Sequence, residues 1–199
     1  MHFKIGEAEA TERARRVKML IMDVDGVMTD GRIIIDSDGR ETKFFNVQDG
    51  VGCTLAKRSG LILAMLTARR SEVTSRRAEE LGISLVKQVV GTKHAAYNEL
   101  VADAGLEPSQ VAYMGDDIHD IGPILRSGLG VAVANAVPEV QSLADCRTSR
   151  EGGRGAVREA IDFILRAQGV WDKVAAEHYP DGEALPSGPE YGPGRASSD

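Results

Sequence analysis

Short apolar runs, separated by stretches with helical spacing, constrain this chain more than any other feature. Val17–Met22, Leu61–Leu66, Ser84–Lys87, Val111–Met114 and Leu129–Val133 read as buried strands. Helices fit the gaps. Asp49 predicts an N-cap for a helix over Val51–Ser59 with Gly60 as its left-handed stop. Ser71 caps a helix to Leu81 that Gly82 ends, and Thr92 caps one through Ala104, closed by Gly105 and Pro108. Further helices are expected near Ile118 and Pro138, and a last one over Ala156–Ala167 is ended by Gly169. Strand and helix in alternation predict an α/β fold: a three-layer, Rossmann-like parallel sheet with helices on both faces.

One stretch breaks the alternation. Arg32–Asp36 and Glu41–Phe45 flank the turn signal Ser37-Asp38-Gly39, which predicts a β-hairpin over about residues 31–46, directly after the first strand. From Val170 onward, Pro180, Pro186, Pro189 and Pro193 with intervening Gly and Ser predict a flexible tail over 170–199. The remainder, 1–169, suits a single domain.

Charge and cysteine usage exclude several roles. A net charge of −6 supplies no basic face for nucleic acid or an anionic membrane. An anionic substrate stays possible, because a bound cation and a few local Lys or Arg residues reverse the sign at a site. Cys53 and Cys146 have no metal-binding spacing and sit in apolar surroundings, as reduced thiols of a cytoplasmic protein would. Met1–Lys18 carries Glu7, Glu9, Glu12, Arg13, Arg15 and Arg16 where a signal peptide would need an apolar run, and no run approaches the roughly 20 residues that cross a bilayer.

The chemistry lies at the strand ends. Asp23-Val24-Asp25-Gly26 follows the first strand, and open parallel sheets place ligands there. Alone, this is as well read as an acidic turn. Gly115-Asp116-Asp117-Ile118-His119-Asp120 follows another strand and brings further carboxylates to the same edge. Clustered like charges repel unless a cation or protons neutralise them, and oxygen donors from separate strands suit Mg²⁺ better than a Ca²⁺ loop. Thr67 ends the strand from Leu61, and Lys93 opens a helix where its charge can balance carboxylate and phosphate. His94 and His119 read as surface or supporting residues, not ligands.

The ordered set Asp-x-Asp, Thr, Lys and Gly-Asp-Asp-x-x-Asp resembles the haloacid dehalogenase superfamily of phosphatases. Asp25–Gly31, Phe45–Gly50, Gly52 and Gly153–Glu159 are similar to its capless branch acting on 3-deoxy-D-manno-octulosonate 8-phosphate, over roughly Val17 to Gly169. The resemblance implies a Mg²⁺-dependent phosphomonoesterase in lipopolysaccharide precursor synthesis, with Asp23 as nucleophile and Asp25 as general acid and base. It implies metal ligation by the Asp23 carboxylate, the Asp25 carbonyl and Asp116, with Asp117 and Asp120 orienting waters and Lys93. Thr67, the Ala68 amide and Lys93 would hold the phosphoryl oxygens. Arg69 and Arg77 would meet a sugar carboxylate, and Gly26, Asp49 and Gly50 would line the approach of the leaving group.

Two departures stand out. Ala68 replaces a family glycine, and Gln88-Val89-Val90-Gly91-Thr92-Lys93 lacks a glycine and an acid usual before the lysine. The resemblance further implies a homotetramer built through the hairpins, to which Ile33-Ile34-Ile35 contributes, with Arg150–Gly155 reaching toward a neighbouring site. Two alternatives remain: a phosphatase for another sugar acid such as a nonulosonate 9-phosphate, or a non-catalytic phosphoaspartate switch resembling receiver domains. Asp25 argues against the switch, which has no need of a general acid.

Overall fold

A computed structural model describes residues 1–89 and 92–176. In chain order the elements are β1 (His2–Phe3), α1 (Glu7–Arg16), β2 (Met19–Met22), β3 (Ile34–Ile35), β4 (Glu41–Thr42), α2 (Val47–Arg58), β5 (Ile62–Thr67), α3 (Glu72–Leu81), β6 (Leu85–Gln88) and α4 (Lys93–Asp103). There follow β7 (Val111–Gly115), α5 (Ile121–Arg126), β8 (Leu129–Ala132), α6 (Pro138–Leu143), β9 (Cys146–Arg147), α7 (Ala156–Ala167) and α8 (Trp171–Ala176).

Strands β1-β9-β8-β7-β2-β5-β6 form one sheet, in which only β1 runs antiparallel to its neighbour. Strands β2, β7 and β8 contain no exposed residue, so both faces of the sheet centre are covered. The helices cover it in two packed groups, α1, α2, α7 and α8 in one and α4, α5 and α6 in the other. Helix α7 shows how the packing arises: Val157, Ala160, Ile161 and Ile164 recur at helical spacing and are all buried. Burying one such Ile side chain stabilises by about 1.5–3 kcal/mol.

Register places the site. Met22 of β2 lies opposite Met65 of β5 and Met114 of β7, so Asp23, Thr67 and Asp116 leave the sheet at one edge. Strand β2 is central, and the chain goes to opposite sides of it for β5 and β7; this is the switch point where such sheets bind ligands.

Several expectations are met in detail. The Ser71 hydroxyl accepts the Thr74 N–H at 3.2 Å and Gly82 stops α3 at φ 63°, while α7 spans the predicted residues. The hairpin exists, paired Ile34 with Thr42 and Ile35 with Glu41, though its regular strands are only two residues each.

Others need correction. Helix α2 begins at Val47 with Asn46 as its cap, whose Oδ1 accepts the Gln48 N–H at 2.7 Å; Asp49 lies inside the first turn. Asn46 has the same capping chemistry one turn earlier. The chain also continues past Gly169 into α8, where Trp171, Val174 and Ala175 are buried; the rest of the expected tail, 177–199, lies outside the described residues. The aromatic face of Trp171 outweighs the polar composition around it, seated under the guanidinium of Arg166 at 4.5 Å and of Arg158 at 5.4 Å. Strands β1 and β9 and helix α1 carried too little apolar pattern to be foreseen.

The glycine-rich turn before α7 docks its backbone on its own chain. Gly153 N–H donates to Val27 O at 2.9 Å, and Gly152 N–H to Asn135 Oδ1 at 2.7 Å. A Cβ on Gly152 would overlap the Gly26 carbonyl oxygen. Gly152→Ala is therefore predicted to lower unfolding free energy by about 1–3 kcal/mol in a denaturant titration, since backbone rather than a pliable side chain must move.

Candidate active site

The centre of the site is a buried ammonium between carboxylates. Lys93, at the first turn of α4, is 2% exposed; its Nζ lies 2.8 Å from Asp23 Oδ1 and 2.7 Å from Asp120 Oδ1. Asp120 is wholly buried and fully used as an acceptor. Its Oδ1 also accepts the Tyr113 hydroxyl at 2.6 Å, and its Oδ2 accepts the N–H groups of Asp116 at 3.0 Å and Asp117 at 3.2 Å. Asp120 thus holds Lys93 and the turn that carries Asp116. The Asp117 side chain takes no part in this. It is exposed, and its Oδ1 accepts the Ile118 N–H at 2.6 Å, capping a short 3₁₀ turn. His119 is exposed, as expected of a residue that is not a ligand.

The electrostatics follow from crowding. Burial and the charge of Asp120 push the Asp23 carboxyl up to about 7, against the pull of Lys93. Burial, then Asp23 and Asp120, push Asp116 up to about 8. For Lys93 burial works against the charge, but Asp23 and Asp120 outweigh it and its pKa is raised. Oxygens of Asp23, Asp116 and Asp120 lie within 4.8 Å of one another. Asp116 Oδ1 is buried with no hydrogen-bond partner, and a Cβ on Gly26 would overlap Asp116 Oδ2. An unpartnered oxygen among like charges, under a loop that admits only glycine, fits a hard divalent cation.

The loop after β2 is held from inside. The buried Thr29 hydroxyl oxygen accepts the N–H groups of Gly26 at 3.3 Å and Gly31 at 3.2 Å. Thr67 is buried at the end of β5, its Oγ1 3.3 Å from the Arg69 N–H. Ala68 introduces no strain, because among the described residues only glycines take a positive φ. Of the altered segment before Lys93, Val90 and Gly91 lie outside the described residues.

The two arginines differ. Arg69 Nη1 lies 2.9 Å from Glu41 Oε1 of the hairpin. Arg77 stacks on the Phe45 ring at 5.4 Å and reaches Glu80 at 2.8 Å; Gly50 leaves room for it, since a Cβ there would lie 2.8 Å from Arg77 Nη2. Asp25 pairs with the ammonium of Lys43, a hairpin residue with a buried side chain that nothing in the linear pattern singled out. Tyr113 was likewise hidden, because within β7 it reads as one more apolar core residue.

Asp49 corrects the expected approach to the leaving group. It is 2% exposed, and its oxygens accept the N–H of Arg158 at 2.8 Å and of Gly155 at 3.3 Å. It ties α2 to the start of α7, and burial raises its pKa despite these bonds.

An Asp-x-Asp after the central strand, a buried Lys from the opposite side and a second acid cluster on β7 define a class, and the chain belongs to the haloacid dehalogenase-like hydrolases, whose family model matches residues 57–161. It is 44% identical over 160 residues to the 3-deoxy-D-manno-octulosonate 8-phosphate phosphatase KdsC of Yersinia pestis, covering 80% of this chain and 86% of that one. It is 39% identical over 170 residues to KdsC of Escherichia coli K12, covering 85% and 90%. Among solved structures, the 3-deoxy-D-manno-octulosonate 8-phosphate phosphatase of Moraxella catarrhalis, in complex with magnesium, phosphate and KDO, superposes with a TM-score of 0.85 at 42% identity. That match covers 87% of this chain and 99% of the other.

Replacing Asp49 by Ala leaves two N–H groups at the start of α7, of Gly155 and Arg158, without their buried acceptor. The predicted result is a loss of about 1–3 kcal/mol in stability by thermal or chemical unfolding, with phosphate release by the folded enzyme within about threefold of wild type.

Proposed function

We propose that the chain hydrolyses 3-deoxy-D-manno-octulosonate 8-phosphate with Mg²⁺, releasing inorganic phosphate, as a cytoplasmic step in making lipopolysaccharide precursor. The observation that carries this reading is the Asp23–Lys93–Asp120 cluster with the open oxygen of Asp116 at the switch point of the sheet. Its similarity to the phosphatases named above supplies the sugar acid.

Asp23 attacks phosphorus in line, the bond from phosphorus to the sugar oxygen breaks, and Asp25 gives that oxygen its proton. Water then attacks the aspartyl phosphate with Asp25 as base, freeing phosphate and restoring Asp23. Thr67, the Ala68 amide and Lys93 hold the phosphoryl oxygens as their charge shifts. Mg²⁺, held by the Asp23 carboxylate, the Asp25 carbonyl and Asp116, supplies charge neutralisation when bound. Arg69 and Arg77 meet the sugar carboxylate, with Gly26 and Gly50 along its approach; for Arg69 the substrate carboxylate replaces Glu41.

No helix of the described residues is long and apolar enough to cross a membrane. The reading includes a homotetramer. Ile33, Ile34, Ile35, Phe44 and Val47 are each exposed on and beside the hairpin, apolar side chains that association would cover.

Two measurements test the proposal. Asp23→Asn should lower turnover by on the order of 10⁴ or more while the fold is kept; wild-type turnover in that variant would remove the covalent mechanism. The second concerns pH. With carboxyls at about 7 and about 8 in place of 3.8, the metal-free native state holds more protons than the unfolded chain, so stability falls as pH rises through that window. Mg²⁺ must displace those protons. Its stabilisation of the protein, read as the rise in Tm on adding MgCl₂, should therefore grow from about pH 6 to about pH 8.

A further inference from the structure

Lys43 is a buried cation to which the reaction as written gives no part. It lies between β4 and α2, and its side chain is 2% exposed. Its ammonium pairs with Asp25 Oδ1 and lies 3.8 Å from Glu41 Oε1. Glu41 is itself anchored, by Arg69 at 2.9 Å and by the Ser71 hydroxyl. A chain of charges thus runs from the loop after β5, through the hairpin, to the carboxylate two residues beyond the nucleophile.

Burying an ammonium is costly unless carboxylates meet it. Pinning the hairpin to the domain would not by itself call for one. Phe45, two residues on, is partly buried against the core beneath Arg77 and already serves that purpose. What the ammonium adds is a fixed direction for Asp25. A carboxylate can rotate, and a general acid works only when its proton-bearing oxygen lies within hydrogen-bond reach of the leaving oxygen.

We propose that Lys43 is the positioning residue of the acid–base carboxylate, engaging Asp25 Oδ1 so that Oδ2 faces the leaving oxygen. The inference rests on the phosphatase reading above. In the first step an Asp23 oxygen bonds to phosphorus, the bond from phosphorus to the sugar oxygen breaks, and the proton on Asp25 Oδ2 passes to the departing oxygen. In the second, Asp25 takes a proton from water as the water oxygen bonds to phosphorus and the acyl phosphate opens. Lys43 touches neither substrate nor phosphorus in either step.

The test uses esters that differ in their need for an acid. A sugar leaves as a poor alkoxide and needs the proton; 4-nitrophenolate does not. The quantity read is kcat/KM at saturating Mg²⁺, which reports events through departure of the leaving group. Lys43→Met should lose about 100-fold or more on the sugar-acid phosphate and no more than about threefold on 4-nitrophenyl phosphate. Lys43→Arg, which keeps the charge, should recover about tenfold or more of the loss.

Equal loss on both esters, or none on the sugar ester, overturns the proposal. If thermal melts show that Lys43→Met does not fold, Lys43→Gln is read for the same ratio; failure of both to fold makes Lys43 a structural residue and also overturns it. Failure of the underlying reading is distinguishable: the wild type would release no phosphate from either ester, or Asp23→Asn would keep its turnover.

Discussion

The Lys93 ammonium between Asp23 and Asp120 is the interaction on which the site depends. Three carboxylates from two strand ends meet in a region largely closed to water, and one buried cation cannot balance them all. Removing one partner from such a buried pair costs about 3–5 kcal/mol, so the arrangement is rigid once formed. The unbalanced charge remains at Asp23 and Asp116, whose carboxyls are pushed up to about 7 and about 8. A centre that repels itself in this way is predisposed to a divalent cation and to a phosphate that the cation and Lys93 can face together.

Supporting contacts hold the carboxylates of the cluster and the loop that carries them. Tyr113 and two backbone N–H groups satisfy Asp120, leaving the Asp116 carboxylate free. Thr29 closes the loop after β2 from within, and the glycine turn before α7 braces it from outside through the Val27 carbonyl. Asp49 secures that turn by holding the Gly155 and Arg158 N–H groups. The loop carrying Asp23 and Asp25 is therefore fixed by neighbours distant in sequence, as a site of oriented dipoles requires.

The hairpin takes a larger part than a short insertion suggests. Glu41 and Lys43 join it to Arg69, Ser71 and Asp25, while Ile33, Ile34 and Ile35 turn outward. The hairpin thus contacts the loops after β2 and β5 and also leaves apolar side chains exposed. Arg69, read from its motif as a substrate contact, has Glu41 of the hairpin as its partner within the chain.

The sequence by itself determined the α/β class, the central strands, the place of the hairpin and the convergence of Asp23, Thr67, Lys93 and Asp116 at one edge of the sheet. Apolar runs and strand-end acids are local signals, and a parallel sheet converts strand ends into one edge. Tertiary structure alone decided what each charge meets. Asp49 looked like a cap beside a glycine and became the buried acceptor for α7, because Asn46 could cap instead. Lys43, which nothing in the linear pattern singled out, became the partner of Asp25, 18 positions away. Trp171 drew α8 out of a segment whose composition reads as tail. Spacing along a chain reports periodicity, whereas the pairing of buried charges is settled by which of them lose water together on folding.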